Sequence, residues 1–189
     1  MGAALENRTV LILAQAISIL GLLLNCLSFQ QKKKKMLILF QFFGAILFSV
    51  HYFLIGAPLG FLMNAIGTVR GLVFALTQPG KRGNLLRIGV FLALFLASYP
   101  LAFTLFGVDP TARNLIVEAL PVVAMCLATV SFGLPTAAGV RRITLFASPL
   151  WMTYNILNRS VGGILSELIG FCSVIIGIIR YDRREKEQK

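Results

Sequence analysis

Seven apolar stretches, each about as long as a lipid bilayer is thick, follow one another through this chain and leave little room for any other plan. They run over 9–29, 36–55, 58–77, 85–107, 113–132, 141–158 and 161–180. About 20 residues rising 1.5 Å each span the roughly 30 Å of hydrocarbon, and within lipid a single segment satisfies its own backbone only as a helix. The chain is 57% hydrophobic and 13% charged, with a mean hydropathy of +0.83. A soluble core of 189 residues cannot hide that much apolar surface, so the sequence predicts an all-α membrane protein with seven transmembrane helices. The first stretch carries Glu6 and Arg8 in its leader rather than a basic run. The stretch reads as a retained helix.

Lys and Arg outnumber Asp and Glu by 18 to 7, and the net charge of +11 invites a nucleic-acid partner until the charges are placed. Lys32, Lys33, Lys34 and Lys35 fall between stretches 1 and 2, and Lys81, Arg82 and Arg87 flank the 3–4 loop. Arg141 and Arg142 open stretch 6, while Arg180, Arg183, Arg184, Lys186 and Lys189 make the tail. These 14 cations occupy alternate loops, against Arg8, Arg113 and Arg159 on the other side and Arg70 within stretch 3. Basic loops stay cytoplasmic, so the asymmetry predicts an outside amino terminus and a cytoplasmic carboxyl terminus. The charge is then a topology signal, with the lipid bilayer as partner and no nucleic acid. Attraction of the basic tail to anionic lipid is a secondary expectation.

An offset of 103 residues lays the chain on itself. Ser28-Phe29 falls on Ser131-Phe132, Gly60 on Gly163, Gly67 on Gly170, and Asn64 on Glu167. Between 38–70 and 141–173 only seven positions are identical, but order, length and loop sidedness repeat together. Three helices is an odd number, so a direct duplication would be inverted, and the unmatched fourth stretch restores a parallel orientation. The expected plan is 3+1+3: a triple-helix bundle over 1–83, a linker helix over 84–108, and a second bundle with a basic tail over 109–189. In the linker, Arg87 is expected to snorkel and Pro100 to kink the helix. Gly60, Asn64, Gly67 and Gly71, echoed by Gly163, Glu167, Gly170 and Gly177, form small-residue stripes that suit close helix packing and turn Asn64 and Glu167 into the bundle.

The phrases Asn25-Cys26-Leu27-Ser28-Phe29-Gln30 before a basic cluster, His51-Tyr52-Phe53-Leu54-Ile55-Gly56, Leu62-Met63-Asn64-Ala65-Ile66 with Arg70, and Trp151-Met152-Thr153-Tyr154-Asn155 resemble the YgjV family of bacterial inner-membrane proteins. The resemblance covers nearly the whole chain and implies the inner membrane, but no activity. The 3+1+3 plan is more distantly similar to the SWEET sugar transporters and the PQ-loop group. There an asparagine on the third helix of each bundle lines a central pocket, and Asn64 and Glu167 hold the matching positions here. The chain departs from that group in lacking the Pro-Gln dipeptide, and Pro121 and Pro149 have no twins in the other half.

Ionisable residues at membrane depth default to functional hypotheses. By depth, Gln15, Glu118, His51, Tyr154, Asn64, Glu167, Asn155 and Trp151 form an outer group expected to line one outward-facing, substrate-binding cavity. Trp151, Tyr154 and Phe48 suit stacking on a small ring or sugar face. Asn25, Gln41 and Arg70 form an inner group expected to act as a gate. Each has a plainer alternative. Asn64 can make an interhelical hydrogen bond to a backbone carbonyl, Glu167 can pair with Asn64 or Arg70, Glu118 can reach water, His51 can sit at the interface, Trp151 and Tyr154 can anchor an aromatic belt, and Arg70 can snorkel. Glu167 is the hardest to set aside, since a buried carboxyl that gains and loses a proton is a natural coupling group.

These residues point to a SWEET-like facilitator or proton-coupled transporter of a small polar solute. The alternative is a non-transporting receptor or scaffold on the same helical plan, and whether copies associate as a homo-oligomer stays open. An enzyme is disfavoured, because one histidine, seven acidic residues and three membrane cysteines assemble no nucleophile with its base. Cys26, Cys126 and Cys172 have no metal-ligand spacing and read as small core residues, so neither metal nor cofactor is expected.

Overall fold

The computed structural model describes residues 2–77 and 80–183, with side chains over 8–77 and 80–182. Arg184, Lys186 and Lys189 of the basic tail lie outside the described residues. The described residues form seven α-helices: α1 (Gly2–Phe29), α2 (Lys34–Leu54), α3 (Pro58–Leu76), α4 (Lys81–Thr104), α5 (Ala112–Gly133), α6 (Ala137–Leu157) and α7 (Val161–Gly177). A short π-helical segment, Ile178–Arg183, continues α7.

The starts of these helices are written locally. Thr111, Thr136 and Ser160 accept the N–H groups of Asn114, Gly139 and Gly163 at 3.2, 3.2 and 3.1 Å, each satisfying a first-turn donor. Pro58 opens α3, where its missing N–H costs nothing. The turns after α2 and α6 each place one residue in the left-handed region, Gly56 at φ 70° and Arg159 at φ 53°. Glycine takes that conformation freely, whereas arginine is strained there and must be held by its surroundings. Ala57 N to Tyr52 O and Ser160 N to Asn155 O, both 2.9 Å, close the two turns in the same way.

Among the described residues, six helices are long and apolar enough to cross a membrane: α1 from Arg8, α2, α3, α4, α5, and α7 extended to Asp182. The expectation of seven by composition falls short at α6, which is diluted by Arg141, Arg142, Thr144, Ser148, Pro149 and Asn155. Much of that polarity turns inward, with Arg141, Ser148, Tyr154 and Asn155 buried. Large apolar side chains such as Phe53, Leu86, Leu105, Ile116 and Phe146 lie on the outside of the bundle, where lipid rather than water suits them.

Around the bundle, α1 packs on α2 and α7, α3 on α2 and α5, and α6 on α5 and α7, while α2 also touches α6 across the middle. Helix α4 packs outside on α3 and α5. Its Phe91 and Phe95 join Phe74 and Phe132 in the main apolar core. Arg87 does reach the end of the bundle, where its guanidinium bonds Thr77 O at 2.8 Å and lies 4.1 Å from the Phe74 ring centroid. Of the cysteines, Cys26 and Cys126 are half-buried. Cys172 is exposed on the flank of α7, not in the core as expected.

Candidate functional site

A cavity of about 140 Å³ lies between α1, α2, α3, α5, α6 and α7. Its polar lining comes from Asn25 on α1, Gln41 and Tyr52 on α2, Asn64 and Arg70 on α3, Thr144, Ser148 and Asn155 on α6, and Ser166 and Glu167 on α7. Phe29, Phe48, Met125 and Trp151 supply apolar walls. On α6 the helical spacing explains the convergence, since Ser148, Trp151 and Asn155 recur at three- and four-residue steps that keep one face inward.

Separate outer and inner groups were expected, but Asn25, Gln41 and Arg70 line the same cavity as Asn64, Glu167, Asn155 and Trp151. Sequence depth separates residues along the axis, and a cavity that runs along the axis rejoins them. Gln15, His51, Glu118 and Tyr154 do not line it. Gln15, His51 and Tyr154 tie helix ends together instead. Gln15 Oε1 accepts the Gly162 N–H at 2.8 Å, and Tyr154 Oη accepts the Gly60 N–H at 3.1 Å. His51 is fully buried, not interfacial: Nδ1 lies 2.9 Å from Ala14 O and Nε2 lies 2.8 Å from Ser160 Oγ. The carbonyl only accepts, so Nδ1 donates. Ser160 Oγ already takes the Gly163 N–H, leaving its own proton for Nε2. Tyr154, 1% exposed, is no belt anchor, and Glu118 buries its Oε2 without a partner.

Tyr52, which depth reasoning passed over, holds the cavity's end. Its hydroxyl donates to Asn155 Oδ1 at 2.6 Å, and its ring stacks on Trp151 with centroids 5.9 Å apart. The signal was in the sequence, because Tyr52 and Asn155 are related by the 103-residue offset. At the other end Gln30 Nε2 donates to Ser173 O and Oγ, both at 2.9 Å, and Ser173 Oγ donates to Cys26 O at 2.9 Å. Beyond them Arg141 is ion-paired with Asp182 and also donates to Gln31 O at 3.0 Å.

Asn64 donates to Gly60 O at 2.9 Å within its own helix, not across to another helix as its plainer alternative had it. Glu167 pairs with neither Asn64 nor Arg70, and its Oε2 accepts the Ser148 hydroxyl. Arg70 does not snorkel. It is 6% exposed, donates from Nη1 to Met125 O at 3.1 Å and to Thr129 Oγ1 at 3.0 Å, and leaves its buried Nε unpartnered. Its guanidinium carbon sits 4.5 Å from the Phe132 ring centroid and 5.3 Å from that of Phe95. Among the described residues, no group of three His, Cys, Asp or Glu side chains comes together as metal ligands would.

Apolar helices of bilayer length wrapped around a polar cavity define a polytopic α-helical membrane protein. The chain matches the Imp-YgjV family, described as bacterial inner membrane protein, over residues 12–185, and it belongs to that family. It is an integral protein of the bacterial inner membrane. No curated protein and no solved structure matches it. None of these comparisons shows a likeness to SWEET or PQ-loop transporters.

Proposed function

We propose that this protein moves a small polar solute across the inner membrane, as a facilitator or with proton coupling, on a SWEET-like 3+1+3 plan. The observation that carries the reading is the central cavity. It brings Glu167, Arg70, Asn64, Asn25 and Gln41 together between the two halves of the chain. Polar and ionisable groups at membrane depth are expensive and persist where they line a pathway.

Geometry as well as sequence supports reading the chain as a duplication. Shifted by the Tyr52-to-Asn155 separation of 103 residues, the bounds Lys34, Leu54 and Pro58 coincide with Ala137, Leu157 and Val161. The left-handed residues Gly56 and Arg159 correspond under the same shift. The packing of α1 on α7 and of α3 on α5 is what a twofold axis between α2 and α6 requires. Three-residue turns on both sides of α6 make it run antiparallel to α5 and α7, and its 21 residues reach about 30 Å, so it is read as the seventh crossing. Charge sidedness supports an outside amino terminus.

The receptor or scaffold reading calls for a pocket that stops short of Arg70, and the participation of Arg70, Asn25 and Gln41 argues against it. The proposed activity binds and moves a solute without making or breaking a bond. Uptake into vesicles, repeated with Glu167→Gln, tests it. A loss of proton-driven accumulation with the fold intact is expected, and unchanged uptake removes the carboxylate from the mechanism.

A further inference from the structure

Two opposite charges face this cavity without facing each other. Arg70 and Glu167 both line it, yet among the described residues the one ion pair is Arg141 with Asp182 at the end of the bundle. Glu167 has a single hydroxyl as partner, on Oε2, so Oε1 has no hydrogen bond. Arg70, nine-tenths buried, is served by one carbonyl, one hydroxyl and two phenyl rings, with no carboxylate among them. A buried ion without a counter-ion is costly, and most of that cost is relieved by a partner of opposite sign. A cavity that keeps one cation and one carboxyl apart therefore suits a ligand carrying both complementary groups.

Size narrows the ligand further. A cavity of about 150 Å³ holds benzene, with about six heavy atoms. The 140 Å³ here is of that order, which is too small for a hexose and right for alanine or its near relatives. The aromatic wall is also not free to cover a sugar face, because Trp151 is already stacked on Tyr52. Phe48, Met125 and Trp151 leave an apolar side suited to a methyl or methylene group.

We propose that the cavity binds a small zwitterion of about six heavy atoms, an amino acid the size of alanine, with its carboxylate directed to Arg70 and its ammonium to Glu167. The proposal rests on reading the cavity as a solute site and names the class of that solute. Asn64, Asn25 and Gln41 supply amide groups for the remaining polar atoms.

Calorimetric titration of the purified full-length protein in nanodiscs tests it, with glycine, L-alanine, β-alanine and γ-aminobutyrate against propionate, ethylamine and lactamide. The best zwitterion should bind about tenfold or more tightly than each analogue missing a charge, since a hydrogen bond to a charged group is worth at least that factor. The amino-acid series reads the separation of the two charges. Glu167→Gln should erase the advantage of alanine over propionate while propionate still binds, and Arg70→Lys should keep part of the advantage over ethylamine. Equal affinity for the neutral or singly charged analogues overturns the proposal, as does failure of every zwitterion to bind protein whose melting transition is intact. Vesicle uptake of neutral solutes without preference for zwitterions sinks the zwitterion and leaves transport standing, whereas zwitterion binding without uptake does the reverse.

Discussion

At the scale of the residue, buried polar side chains divide into those that hold helices and those that face the cavity. Tyr52 belongs to both groups, because its hydroxyl reaches Asn155 from across the bundle while its ring walls the cavity. Tyr52→Phe leaves Asn155 Oδ1 buried without that donor, a cost of about 1–3 kcal/mol. A clear fall in the melting temperature in detergent is expected. Thr153→Val should change little by the same measurement, since the Thr153 hydroxyl only returns to the Pro149 carbonyl at an exposed position. Equal melting of wild type and Tyr52→Phe would mean that the clasp carries no stability. At this scale the sequence was legible where chemistry is rare. Asn64, Glu167, Asn155, Trp151, Asn25, Gln41 and Arg70 stand out as polar or aromatic in apolar runs, and all line the cavity. Ser148 was not legible. A serine in a membrane helix is common, and its offset partner Ala45 gives no matching signal.

At the scale of the element, the expected small-residue stripes prove uneven in use. A Cβ at Gly177 would lie 2.6 Å from the Phe29 carbonyl oxygen, which is backbone and cannot turn aside. At Gly170 the nearest atom is Phe29 Cε2 at 4.0 Å, ordinary contact. Gly177→Ala should therefore push α7 from α1 and cost about 1–3 kcal/mol, while Gly170→Ala should be neutral or slightly favourable. Parallel melting curves of the two variants decide this, and equal destabilisation would contradict the α1–α7 approach. Helix bounds were readable to within a few residues, because hydrophobic length and turn residues such as Thr136, Pro58 and Ser160 are local signals. The roles of His51, Gln15 and Tyr154 were not, because each completes a contact made by a different helix, with Ala14 and Ser160, with Gly162, and with Gly60. Spacing along one helix says which face looks inward but not what it meets.

At the scale of the molecule, residues 34–58 and 137–161 coincide in helix bounds and turn geometry and differ in chemistry. The crossing of α1 with α7 is closed by the small Ser173, and the equivalent crossing of α3 with α5 is held by Arg70. Gln15 completes the start of α7, while Glu118, at the matching position, leaves an oxygen unpartnered. The proposed site is thus symmetric in framework and asymmetric in charge, as a zwitterionic solute demands. Of this level the sequence carried the 103-residue offset and the uneven placement of the cations, whereas the cavity shared by the two expected groups needed the three-dimensional arrangement.

The central claim is that the cavity is part of a path between the two sides of the membrane. Ala128 lines it on α5, at the position equivalent to Asn25. With Cys26, Cys126 and Cys172 replaced by serine, Ala128→Cys can be challenged with an impermeant thiol reagent in right-side-out and in everted vesicles. The account predicts modification from either face, slowed in both cases by saturating solute. Modification from one face alone would contradict it and restore the one-sided receptor.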